Sequence, residues 1–152
     1  MTEREQRPLV LVVDDNEDQL VMLEALLDLE GYEVITANSV AAVASVVAAS
    51  RGLDVLVADM GLGDGTAHDV MTELRAMDRR PRVAVVVSGF DANEDIEATL
   101  AAGFDAHLCK PTSGDDLLAI MAEGLRKRPS GIRATQASAT ATATAVALRL
   151  AR

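Results

Sequence analysis

A chain of 152 residues that is 49% hydrophobic can bury one domain-sized core, and it is too apolar to stay disordered along most of its length. One cysteine, Cys109, excludes an internal disulfide, no Cys/His spacing suits zinc, and the polar opening MTEREQRP does not read as a signal peptide, so a cytoplasmic protein with no membrane contact is expected. The net charge of −10 is uneven: residues 9–125 hold 22 acids and six bases, residues 126–152 hold six bases and no acid, and the acidic body argues against direct nucleic-acid binding.

Residues 9–13, LVLVV, are an all-apolar run that stops at Asp14, the pattern of a strand buried on both faces. Residues 17–30 follow with Leu20, Leu23 and Leu27 at helical spacing, closed by Gly31. Residues 32–37 read as a second strand, and Ser39 as the N-cap of an Ala/Val-rich helix reaching about Ser50. A third strand is predicted over 53–58, then a Gly-rich loop and a helix from about Thr66 to Met77. Residues 82–87 form a fourth strand, 91–102 a helix ending near Gly103, 104–109 a short fifth strand, and Ser113 caps a last helix ending near Arg126. Strands alternating with helices through short connections predict right-handed crossovers and a parallel sheet covered on both faces. With only one Tyr, two Phe and no Trp, the core must be aliphatic.

Ligands of such sheets sit at the carboxyl ends of the strands. The residues there are Asp14 and Asp15 after the first strand, Asp59 after the third, Ser88 after the fourth and Lys110 after the fifth. Any one of them has a bland explanation as a cap or a turn. Three carboxylates in one small space are different, because like charges raise one another's pKa and persist best around a cation. Hard oxygen donors without His or Cys suit Mg²⁺. A lysine and a hydroxyl beside it make a pocket for a transferred phosphoryl group, with one carboxylate as nucleophile. Asp59, between the other acids and Lys110, is the best candidate for that nucleophile.

The segments VVDDNE, VLVADMGLGDG, VVVSGF and CKP, in this order and spacing, resemble the response-regulator receiver domain of two-component signalling over roughly residues 8–126. The resemblance implies a CheY-like, flavodoxin-like, doubly wound five-stranded parallel sheet of order 2-1-3-4-5. It implies Asp59 as phosphoacceptor and as a Mg²⁺ ligand, Asp15 as a direct Mg²⁺ ligand with Asp14 helping, and the backbone carbonyl of Gly61 as a further ligand. Lys110 would pair with phosphoryl oxygens, Ser88 would swing in to report them, and Pro111 would follow through a cis bond. The implied donor is a histidine kinase or a histidine phosphotransfer protein. The chain would then be no turnover enzyme, catalysing only its own phosphorylation and a slow dephosphorylation, with homodimerisation on phosphorylation as one mode of output.

Several positions depart from that pattern. Gly63 replaces a frequent proline and, with Gly61 and Gly65, predicts a loose loop. Ala67 stands where a glycine is common. His107 stands where the family usually places the Tyr or Phe whose rotation follows Ser88, so it is either a switch residue or a partly exposed strand residue. His68 is expected on the surface at a helix start. Phe90 and Gly61 occupy positions that tune hydrolysis in receivers, and Phe90 is expected to restrict water at the site.

The domain division expected is an extension at 1–8, a receiver at 9–126 and an Ala/Thr-rich basic tail at 127–152, read as flexible. Twenty-six residues after 126 are too few for an output domain, so output would come through an unknown downstream protein, or the chain would act as a phosphate shuttle or sink. An acyl-phosphate hydrolase of the haloacid-dehalogenase type uses similar groups, but its nucleophile follows the first strand in a DxDx[TV] pattern, and here that strand ends in DDNE. A receiver-like module that is never phosphorylated is disfavoured by the complete set Asp15, Asp59, Ser88 and Lys110.

Overall fold

A computed structural model describes residues 7–50, 52–89, 96–110 and 113–128. In chain order the elements are β1 (Leu9–Val13), α1 (Glu17–Leu29), β2 (Glu33–Ala37), α2 (Val40–Ala48), β3 (Val55–Asp59), α3 (Ala67–Ala76), β4 (Val83–Ser88), α4 (Ile96–Ala101), β5 (Ala106–Cys109) and α5 (Gly114–Lys127). All strand pairs are parallel and the order is β2-β1-β3-β4-β5, as expected.

The alternation of side chains along each strand divides the core into two layers. Val10, Val12, Val55, Val57, Val83 and Val85 pack with Leu20 and Leu27 of α1 and Leu117 and Met121 of α5. Leu11, Val13, Leu56, Ala58, Ala84 and Val86 pack with Val43 and Val47 of α2 and Val70 and Leu74 of α3. Continuous Val/Leu runs are thus the requirement of strands covered on both sides. The edge strand β2 is only half-buried along most of its length.

Two helix starts follow capping residues read from the sequence, Ser39 and Ser113, and a third is capped by Thr66. Ser39 accepts from Ala42 N–H at 3.2 Å, Thr66 forms a capping box with Asp69, and Ser113 accepts from Asp116 N–H at 3.1 Å. Gly31 closes α1 at φ +94°, a conformation that favours glycine. Gly124 of α5 lies flush on β4: a Cβ there would stand 2.5 Å from Val83 Cγ2.

The amino end of the sheet is closed by paired charges. Asp54 accepts from Leu9 N–H at 2.8 Å and from Arg82 Nη1 at 3.0 Å. Arg82 also donates to the carbonyls of Arg128 (2.6 Å) and Leu125 (3.1 Å), so the end of α5 is tied under β4. Asp105 accepts from Ala84 N–H at 2.8 Å and pairs with Arg128.

The differences from the sequence reading are local. Asp59 and Ser88 close β3 and β4 rather than following them, and β5 begins at Ala106 because Phe104 turns into the core. His68 is half-buried: its Nε2 lies 3.1 Å from Thr99 Oγ1 and its ring packs on Phe104, joining α3 to α4. Phe90, Pro111, the segment 1–6 of the N-terminal extension and residues 129–152 of the basic tail lie outside the described residues.

Candidate functional site

Strand register brings the predicted residues to one edge. Val13 is level with Ala58, Ala58 with Val86, Asp59 with Val87, and Ser88 with Cys109. The residues that end or follow β1, β3, β4 and β5 therefore share the carboxyl edge. Backbone bonds fix the turns that leave it: Met60 N–H donates to Val87 O at 2.9 Å, and Lys110 N–H to Ser88 O at 2.7 Å.

Asp14 is buried, Asp15 exposed and Asp59 between them. Each offers a carboxylate oxygen, and these three oxygens lie within 4.8 Å of one another. Asp14 is fixed by Asn16, whose N–H donates to Asp14 Oδ1 at 2.9 Å while its own side chain caps α1. Lys110 Nζ reaches Asp59 Oδ2 at 3.4 Å and Asp14 Oδ2 at 3.6 Å. Burial pushes the Asp59 carboxyl above the usual carboxylate range; Lys110 works against this, and the charges of Asp14 and Asp15 add to it. Among the described residues, one ammonium faces three carboxylates here.

The loop after Asp59 is crossed by backbone bonds. Gly61 and Thr66 form an antiparallel bridge, Ala67 N–H donates to Met60 O at 3.2 Å, and Leu62 N–H donates to Gly65 O at 3.0 Å. Gly63 alone in the loop needs the left-handed region, at φ +74°. A Cβ on Gly63 would lie 3.8 Å from Asp15 Oδ2, so the loop tip borders the acidic cluster.

Ser88 is buried at the end of β4. His107 is buried as well, at 1% exposure, which rules out the partly exposed strand residue offered as one alternative. It is level with Val86, on the opposite sheet face from Ala106 and Leu108, with Nδ1 4.0 Å from Cys109 Sγ. Phe90 and Pro111 cannot be placed here, since both lie outside the described residues.

A pocket of about 490 Å³ opens between α1 and α5, with Asp14, Asp59 and Lys110 at its polar end and Met22, Leu26 and Leu117 along its walls. Sequence reasoning missed two residues that matter to this edge. Asn16, in the DDNE segment, stands before an apolar-periodic run, which is a capping signal. Asp64 was read only as part of a Gly-rich loop, and its partners are 23 and 24 residues away, where no local pattern shows them.

The donor set fits a hard divalent cation: three carboxylates in reach of one another, no His or Cys among them, and a central carboxyl whose charge is disfavoured by burial.

The sequence model of the response regulator receiver domain matches residues 10–122, and the chain belongs to that family. It is 39% identical over 133 residues to the transcriptional regulatory protein PrrA of Mycobacterium tuberculosis, covering 88% of this chain and 55% of that protein. It is 36% identical over 128 residues to the transcriptional regulatory protein KdpE of the same species, covering 84% of this chain and 55% of that protein. The chain therefore spans about half the length of these curated relatives. Among solved structures, it superposes on a two-component response regulator from Clostridium difficile with a TM-score of 0.73 at 20% identity, covering 82% of this chain and 100% of that one. A CheY-like receiver domain protein from Methanospirillum hungatei gives 0.71 at 24% identity, covering 81% and 97%. These two likenesses bear on the fold.

Proposed function

We propose that this receiver accepts a phosphoryl group on Asp59 and signals by changing which protein it binds. The observation that carries the proposal is the edge itself: Asp59 held 3.4 Å from Lys110 Nζ and within reach of the Asp14 and Asp15 carboxylates. In this reading an Asp59 oxygen attacks the phosphorus of a phosphohistidine on a histidine kinase or histidine phosphotransfer protein. An O–P bond forms, the N–P bond breaks, and the departing imidazole takes up a proton. Lys110 would neutralise the phosphoryl oxygens, and Asp14, Asp15, Asp59 and the Gly61 carbonyl would hold Mg²⁺, which when bound would supply charge compensation for the transferring phosphoryl group.

Ser88, buried beside the acceptor, donates its hydroxyl to the new phosphoryl group, and His107 on the neighbouring strand repacks with it. Residues 9–126 are the receiver module in this proposal, and its place is the cytoplasm, with self-catalysed phosphorylation and dephosphorylation its only chemistry. Among the described residues no helix is long and apolar enough to cross a membrane.

The test is treatment with acetyl phosphate, and separately with beryllofluoride, in the presence of Mg²⁺. Intact mass should rise by one phosphoryl group in the wild type and not in Asp59→Asn, and gel filtration reads any change of assembly. A mass gain that survives in Asp59→Asn, or none in the wild type, overturns the proposal.

A further inference from the structure

The first turn of α2 poses a capping problem that its own sequence does not solve. Ser39 serves the N–H of Ala42 alone, and there is no acid in the first helical turn. The N–H groups of Val40 and Ala41 would be left over, as at any helix start. They are taken instead by a residue far along the chain: Asp64 Oδ1 accepts from Val40 N–H at 3.0 Å, and Asp64 Oδ2 from Ala41 N–H at 3.1 Å. These two bonds hold the Asp64 carboxyl below its usual range, Val40 contributing more than Ala41.

Asp64 sits at the tip of the loop between Asp59 and α3. The base of that loop is secured by the Gly61–Thr66 bridge and by the Thr66/Asp69 capping box. Its tip turns on Gly63, which borders Asp15. Gly65 completes the contact: a Cβ there would stand 2.9 Å from Val40 Cγ2 and 2.7 Å from Asp69 Oδ2, so the loop can lie against α2 only because residue 65 has no side chain.

We propose that Asp64 is a positioning residue for the cation site: its carboxylate clamps the loop carrying Gly61 and Gly63 onto the start of α2 and so fixes the loop against Asp15. The proposal rests on the reading of Asp14, Asp15 and Asp59 as the Mg²⁺ site. It makes the start of α2 part of the metal-binding edge, although no atom of α2 belongs to the donor set. Through the same two bonds, an ion that draws the loop inward is felt at the helix start.

The experiment titrates Mg²⁺ into the full chain and follows backbone amide shifts of Asp15, Asp59 and Gly61, with hydrogen exchange at Val40 and Ala41 read in parallel. Asp64→Ala should speed exchange at both amides and weaken Mg²⁺ binding by about three- to ten-fold, the scale of losing a helix cap. At saturating Mg²⁺ the rate of phosphorylation should return to that of the wild type, so the defect lies in ion affinity and not in chemistry. Gly65→Ala, which keeps the carboxylate but wedges the loop from Val40, should weaken Mg²⁺ in the same direction. Asp64→Asn, which retains one acceptor oxygen, should fall between wild type and Asp64→Ala.

Faster exchange at Val40 and Ala41 with Mg²⁺ affinity unchanged within two-fold would reduce Asp64 to a helix cap and overturn the proposal. Unchanged exchange in Asp64→Ala would overturn it too, by showing that the clamp is not made. Wild-type protein that binds no Mg²⁺ would instead overturn the site reading beneath it.

Discussion

Asp59→Asn should make the protein more stable when Mg²⁺ is absent and less stable than the wild type when Mg²⁺ is saturating. The Asp59 side chain is 14% exposed, so its charge is partly desolvated before any neighbour is considered. The ammonium 3.4 Å away, which also hydrogen-bonds Asp59, offsets the like charges of Asp14 and Asp15, so burial is what leaves the charged form disfavoured, by an amount on the order of 1 kcal/mol. The amide keeps the shape and removes the charge, so urea unfolding at pH 7 in EDTA should place Asp59→Asn about 1 kcal/mol above the wild type, roughly 4 °C in Tm.

The pH dependence has a fixed sign. The folded-state pKa of Asp59 is raised above the ordinary 3.8, so the wild type suffers no penalty below that value and loses stability as pH rises through the raised one. The advantage of the variant therefore opens above about pH 4 and vanishes below it. Mg²⁺ at about 100 times its dissociation constant adds about 2.7 kcal/mol to the wild type, and less to a variant that has lost a ligand, which reverses the order. A variant less stable than wild type in EDTA would refute the argument, since it would show that the Lys110 contact outweighs the repulsion and the burial.

Lys110→Ala should separate binding from chemistry. Removing a cation 3.4 Å from Asp59 and 3.6 Å from Asp14 should tighten Mg²⁺ about ten-fold in an amide titration, while phosphorylation by acetyl phosphate slows by about a hundred-fold; weaker Mg²⁺ binding would mean that the lysine orders the carboxylates and does not compete with the ion. Gly124→Ala should cost about 1–3 kcal/mol in urea unfolding, because its methyl would meet Val83 at 2.5 Å. Val83→Ala should recover part of that loss in the double variant, and strictly additive effects would place the clash elsewhere.

The strands, the helices and the acidic edge were legible in the sequence because each is written in a local pattern, whereas the strand order followed from the resemblance to receiver domains. Apolar runs of strand length stop at Asp14, Asp59 and Ser88, and the helices between them begin at side chains that cap. What the sequence hid is what joins distant segments. Asp64 lies in a stretch dominated by glycine, and its meaning depends on two N–H groups of α2. His68 looked like a surface residue because Thr99 and Phe104, which cover it, follow some thirty residues later. The burial of His107 likewise depends on what packs over β5, which strand periodicity alone does not report.

The two ends of the sheet follow opposite electrostatic rules. At the amino end Asp54 and Asp105 each have an arginine partner and a backbone N–H. Such buried pairs add little net stability, but leaving one partner alone there is costly, so they fix where α5 ends and how β4 meets it. At the carboxyl end, among the described residues, one lysine faces three acids. That end is consequently the part of the fold whose stability responds most to what binds it. In the proposed reading, a cation or phosphoryl group would act at that edge, while at the amino end the Arg82 bonds to the carbonyls of Leu125 and Arg128 keep α5 tied to β4.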